Sequence, residues 1–120
     1  MPALLANTAL VFIGGTLGAY ARALLTGLPD GHLAIVFAIN IAGAFALALL
    51  TTAALPERWR LLLGTGACGG FTTYSTMASG VIHGGSWVPA AVALATVVLG
   101  FLASAAGWAI GTRLRGEVSA

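Results

Sequence analysis

Charge is what this sequence has least of. Only 7% of its 120 residues are Asp, Glu, Lys or Arg, against about 25% in an ordinary soluble domain, while 59% are hydrophobic. The charged residues are Arg22, Asp30, Glu57, Arg58, Arg60, Arg113, Arg115 and Glu117, and none falls between Leu61 and Thr112. So few basic groups offer no face for a nucleic acid. Metal ligands are equally scarce. Cys68 is the single cysteine, and His32 and His83 both fall at the ends of apolar runs, where they read as interfacial side chains. Every acid lies beside a turn signal or near the C-terminus, so no Ser, His and acid can meet as a triad, and enzyme catalysis is not expected. Nor does any carboxylate sit inside a span, which a proton-coupled drug exporter would need.

What the chain does have is four apolar runs, each near the roughly 20 residues that a membrane crossing requires. They cover about 4–28, 33–54, 60–82 and 87–112, separated by Pro29-Asp30-Gly31, Pro56-Glu57-Arg58 and His83-Gly84-Gly85-Ser86. The expectation is one all-α integral membrane domain over 1–120, multi-pass in the cell membrane, with short connections and successive helices running antiparallel. Ala19-Tyr20-Ala21 loosely resembles a signal-peptidase site, but no Lys or Arg precedes the first apolar run, which argues against a cleaved leader. Glycine is abundant, with 17 copies. Gly14 with Gly18, Gly66 with Gly70, and Gly107 with Gly111 stand at the small-xxx-small spacing that brings helix backbones together in lipid, and Gly100 and Ser104 join the last pair on one stripe. Four thin helices cannot enclose a wide pore, so oligomerisation is expected.

Inside the third run lies Gly69-Gly70-Phe71-Thr72-Thr73-Tyr74-Ser75-Thr76-Met77, a stretch of glycines and hydroxyls. Hydrocarbon supplies no water to polar groups, so such a stretch persists only where protein buries it or where it lines a polar path. Asn40, Thr96 and Ser104 add further neutral groups at membrane depth. Hydroxyls, amide nitrogens and the electropositive edges of aromatic rings can all point hydrogens at an anion, and Arg22 is nearby in sequence terms at a helix end. Each hydroxyl also has a plainer reading, a bond back to its own helix carbonyl, and for Thr96 the two readings stand level. Gly64-Thr65-Gly66-Ala67-Cys68-Gly69 matches the dinucleotide fingerprint by letter, yet it lacks a preceding strand and an acid about 20 positions on.

At these residues the chain resembles the Fluc (CrcB) family of fluoride channels. Gly14-Gly15-Thr16-Leu17-Gly18-Ala19-Tyr20-Ala21-Arg22 is similar to the family's first-helix pattern, Asn40-Ile41-Ala42-Gly43-Ala44-Phe45 to its second, and Gly66 through Met77 to its third-helix signature. Gly100 with Gly107 fits the fourth. The resemblance implies four transmembrane helices per chain, a third helix broken near its centre, and a dimeric antiparallel (dual-topology) assembly with two pores. It implies a fluoride pathway along Asn40, Tyr74, Ser75, Thr76, Met77 and Thr96, with Arg22 in a vestibule. It also implies a structural sodium ion at the dimer centre, held by the backbone carbonyls of Gly69 and Thr72. Adjacent glycines weaken a helix, and a cation replaces the hydrogen bonds that freed carbonyls lose. Two positions depart from the pattern. The family carries phenylalanines where this chain has Tyr74 and Met77. Tyrosine keeps a ring edge, whereas the thioether of methionine gives an anion little.

The function so implied is passive export of cytoplasmic fluoride. The alternative is a non-conducting or regulatory membrane subunit that needs a second homologous subunit to form a working pore. Arg58, Arg60, Arg113 and Arg115 fall on one side with both termini, which the positive-inside rule makes cytoplasmic. A homodimer of opposed subunits needs balanced charge, so this bias points to a heterodimer with an oppositely biased homologue beside the homodimer reading.

Overall fold

The computed structural model describes residues 1–27 and 32–119, without the side chains of His32, Thr76, Val118 and Ser119; the turn tripeptide Pro29-Asp30-Gly31 lies outside the described residues. The chain is all-α. Helix α1 spans Pro2–Thr26, with proline in its first turn, where a missing N–H costs nothing. It closes as the Gly27 amide donates to the carbonyl of Ala23 at 3.0 Å. Helix α2, His32–Thr52, is followed by Pro56, which cannot continue a helical ladder. Next come a single α-turn, α3 (Glu57–Trp59), a π-helical stretch over Arg60–Cys68, and a second α-turn, α4 (Gly69–Phe71). Helix α5 covers Ser75–His83 and α6 covers Val88–Ser119.

Among the described residues three helical segments are long and apolar enough to cross a membrane: Pro2–Thr26, Leu33–Thr52 and Val88–Glu117. At 1.5 Å per residue the 32 residues of α6 run to about 48 Å, well past a hydrocarbon core of about 30 Å. Nothing in Thr112-Arg113-Leu114-Arg115 breaks a helix, so α6 continues beyond the apolar run into the interface.

Packing follows the glycines. A Cβ on Gly14 would collide with the carbonyl of Leu62, one on Gly18 with that of Ala67, and one on Gly70 with that of Gly15. The register climbs along both segments, from Gly66 against Val11 and Gly14 to Phe71 against Gly18, so α1 lies parallel to the Arg60–Phe71 run with backbone touching backbone. The second close pairing is also parallel. Gly107 meets the carbonyl of Phe45, Gly111 meets Thr52 Oγ1, and Ser104 Oγ donates to the Ala44 carbonyl at 3.4 Å. The two pairs then cross in opposite directions, for Gly43 faces Thr72 while Gly64 faces Leu47. Helices therefore alternate in direction, but the closest packing joins every second one.

This geometry gathers Arg58, Arg60, Arg113 and Arg115, all exposed, at the end where α2 finishes and α1 begins. Arg58 stands 6.0 Å from the ring centre of Trp59, a cation over an interfacial aromatic. Arg22, past Gly18 on α1, lies toward the opposite end. Among the described residues the buried hydrophobic ones are Val36 and Ile39, whereas Phe12, Leu17, Phe101 and Leu102 face outward. An apolar exterior over so small a core belongs to a multi-pass membrane protein.

Candidate functional site

The helical run that starts at Glu57 stops at Phe71. Thr72 turns extended (φ −77°, ψ 155°), and helix resumes only at Ser75. Two adjacent glycines followed by two β-branched threonines favour a stop here. Thr72 stays tied to the run behind it, since its amide and its Oγ1 both donate to the Cys68 carbonyl at 3.1 Å.

Thr73 is tied to a different helix. Its amide donates to Asn40 Oδ1 at 2.9 Å, and Asn40 Nδ2 donates back to the Thr73 carbonyl at 2.9 Å. A side-chain amide thus meets a main-chain amide edge to edge across 33 residues of sequence. In an unbroken helix the Thr73 amide would bond to the carbonyl of Gly69, four residues back. Here the extended Thr72 turns it toward Asn40 instead. One helical turn along α2 from Asn40, Gly43 makes room for the Thr72 methyl, which stands where a Cβ on Gly43 would go. Asn40 and Gly43 share a face at i, i+3, so α2 offers one amide and one notch to the interruption.

Beside that contact is a cleft of about 220 Å³, lined by Asn40, Thr72, Thr73, Tyr74, Met77, Thr96 and Val97. Thr73 and Thr96 are the buried polar residues at this level, at 6% and 7% exposure. Thr73 Oγ1 lies 3.4 Å from Ser75 Oγ. The Thr96 hydroxyl donates to the Val92 carbonyl of its own helix at 2.7 Å, so its proton is spent locally. Tyr74 is 77% exposed in the single chain.

The sequence-derived pathway residues thus divide. Asn40, Tyr74, Met77 and Thr96 share the cleft. Ser75 borders it through Thr73, Arg22 is not among its lining residues, and the side chain of Thr76 lies outside the described residues. Gly69 is exposed, and a Cβ there would meet nothing within 4 Å. Among the described residues no three of His, Cys, Asp or Glu cluster to hold a metal. Thr73 and Gly43 stood inside the sequence motifs but were not assigned to the pathway. Their signal was an asparagine in the middle of an apolar helix, which must find a partner, with a glycine one turn away.

Residues 9–108 match the family described as "CrcB-like protein, Camphor Resistance (CrcB)". The chain belongs to the CrcB family. It is 43% identical over 109 residues to the "Fluoride-specific ion channel FluC 1" of Mycobacterium bovis, covering 79% of this chain and 82% of that one. It is 38% identical over 108 residues to FluC 1 of Rhodococcus jostii, with 89% and 86% covered. To FluC 2 of Leifsonia xyli subsp. xyli it is 42% identical over 123 residues, with 88% and 83% covered. The CrcB match takes in most of α1, all of α2, the interruption and most of α6, so the whole cleft lies within it.

Proposed function

We propose that this chain is a subunit of a passive, fluoride-selective channel that lets the anion leave the cytoplasm. The observation that carries the reading is the cleft beside the interrupted helix, where the Asn40 amide, the hydroxyl residues Thr72, Thr73 and Thr96 and the Tyr74 ring meet the apolar Met77 and Val97, with no carboxylate among the described lining residues. Fluoride is small and strongly hydrated, so a site must replace its water with fixed donors at close range, and neutral donors do this without trapping it. Hydrogen fluoride crosses bilayers unaided and ionises in a less acidic cytoplasm. An inside-negative potential then drives the anion outward with roughly 2.3 kcal/mol per charge per 100 mV, so no nucleotide or proton carboxylate is needed. The relatives named as fluoride-specific ion channels support the choice of ion.

In this reading residues 57–83 form a fourth crossing, broken at Thr72–Tyr74, and two subunits pack in opposite orientations to give two pathways. Asn40, Tyr74, Ser75, Thr76, Met77 and Thr96 line each pathway, and Arg22 draws anions to its mouth. The residues also fit a structural sodium ion. The Thr73 amide is turned away from Gly69, and carbonyl oxygens are the hard donors such a cation takes. Gly69 and Thr72 would hold it with their counterparts in a second subunit, and the ion would neutralise the carbonyl dipoles there. Four exposed arginines at one end favour a single insertion direction, which supports a heterodimer with a homologous subunit as the second reading.

A bacterium lacking its own fluoride exporter provides the test. Expression of this chain, alone or with a co-expressed homologue, lowers cytoplasmic fluoride and restores growth in fluoride medium. Unchanged accumulation in both cases would count against the reading.

A further inference from the structure

We propose that Asn40 is a positioning residue that sets the interruption, through its two-bond bridge to the Thr73 backbone, and serves the anion with only its remaining N–H. The effect on conduction rests on the channel reading above; the bridge itself does not.

A carboxamide has one acceptor oxygen and two N–H donors. Oδ1 takes the Thr73 amide and one Nδ2 hydrogen goes to the Thr73 carbonyl, both at 2.9 Å. Both main-chain groups of Thr73 are thereby satisfied outside any helix, in a residue that is 6% exposed. Without the bridge the Thr73 amide and carbonyl would lose these two bonds, and the acceptor an unbroken helix would offer the amide is the Gly69 carbonyl. One side chain therefore does two things at once. It keeps Thr72 extended, with its methyl in the Gly43 notch, and it withholds from Gly69 its helical donor. The bridge leaves the second Nδ2 hydrogen unused, and Asn40 lines the cleft together with Thr96 and Met77. No other single side chain of the cleft could substitute. A serine hydroxyl at position 40 ends one bond short of the carboxamide and offers a single atom where the bridge uses two, and a carboxylate accepts but cannot donate.

That chemistry gives the test an unequal pattern. Amide hydrogen exchange is followed by NMR on threonine-labelled protein in micelles, for wild type, Asn40→Ala, Asn40→Ser and Asn40→Asp. The amides of Thr96 and Thr112, inside α6, report whether each variant is folded. The Thr73 amide should exchange about tenfold faster in the Ala and Ser variants, as expected for one lost bond of about 1.4 kcal/mol. It should stay within about threefold of wild type in the Asp variant, which keeps the acceptor. Fluoride flux should fall at least tenfold in all three, because none can hold both main-chain groups. Wild-type exchange at Thr73 in the Ser variant, or equal loss of protection in Ser and Asp, overturns the bridge. Should the Ala variant unfold, the contrast between Ser and Asp decides. Wild-type flux in the Ser variant overturns the positioning role, whereas absence of flux from the wild type itself overturns the channel reading and leaves the exchange pattern to judge the bridge alone.

Discussion

The carbonyl of Ala67 occupies the place where a side chain on Gly18 would begin. The same holds for Leu62 against Gly14 and for Gly15 against Gly70, so α1 and the run before the interruption touch main chain to main chain. That contact fixes where α4 stops and hence where Thr72 and Thr73 are delivered to α2.

Gly18→Ala should therefore be among the most damaging single-methyl changes in the molecule. The added carbon meets backbone that cannot swing aside, and a cost of about 1–3 kcal/mol or more is expected. Gly116→Ala meets nothing within 4 Å and should be neutral within about 0.5 kcal/mol. Thermal unfolding in detergent, followed by size-exclusion chromatography, compares the two directly.

The notch at Gly43 predicts a compensating pair. Gly43→Ala should push Thr72 off α2 and cut anion flux at least tenfold. Adding Thr72→Ser, which removes the offending methyl but keeps the hydroxyl that bonds to Cys68, should restore at least a third of it. An equally dead double variant would show that the methyl is not what Gly43 accommodates.

The glycine spacings and the apolar runs made the membrane fold legible, because lipid leaves few ways to satisfy a backbone and small residues mark where helices touch. Which helices touch was not legible. Gly14 and Gly18 gave a sticky face on α1 but not its partner, and the partner proved to be the parallel run around Gly66 rather than the neighbouring α2. Helix ends were similarly hidden, since α6 runs on through Arg113 and Arg115, which hydropathy alone treats as a stop. The Asn40 motif was visible, and the glycines and threonines marked a break, but the bond to Thr73 spans 33 residues and depends on the direction in which the extended Thr72 turns the chain, which that local pattern does not specify.

Thr96→Val should change fluoride flux by less than about threefold. Its hydroxyl proton already belongs to the Val92 carbonyl, so the isosteric change removes a local helix bond and little donor strength from the cleft. A loss greater than tenfold in the electrode assay would instead assign that hydroxyl to the ion.

Orientation should follow the arginines. With Arg58, Arg60, Arg113 and Arg115 exposed at one end, a C-terminal fluorescent fusion should report from the cytoplasm and a phosphatase fusion should be silent. Replacing all four with Gln should bring both reporters on together, as insertion becomes mixed. Reporters unmoved by the change would remove charge as the determinant of orientation, and with it the support for a heterodimer.

The central claim is that neutral donors around Asn40 and Thr73 stand in for the water of fluoride. Its most direct measurement uses liposomes bearing this chain, with and without a homologous subunit, loaded with potassium fluoride or potassium chloride. A potassium ionophore is added, and release is read with ion-selective electrodes. The account predicts rapid loss of fluoride from vesicles that retain chloride, in at least one of the two preparations. Vesicles of both kinds that hold fluoride as tightly as protein-free ones, or that release chloride equally fast, would contradict it.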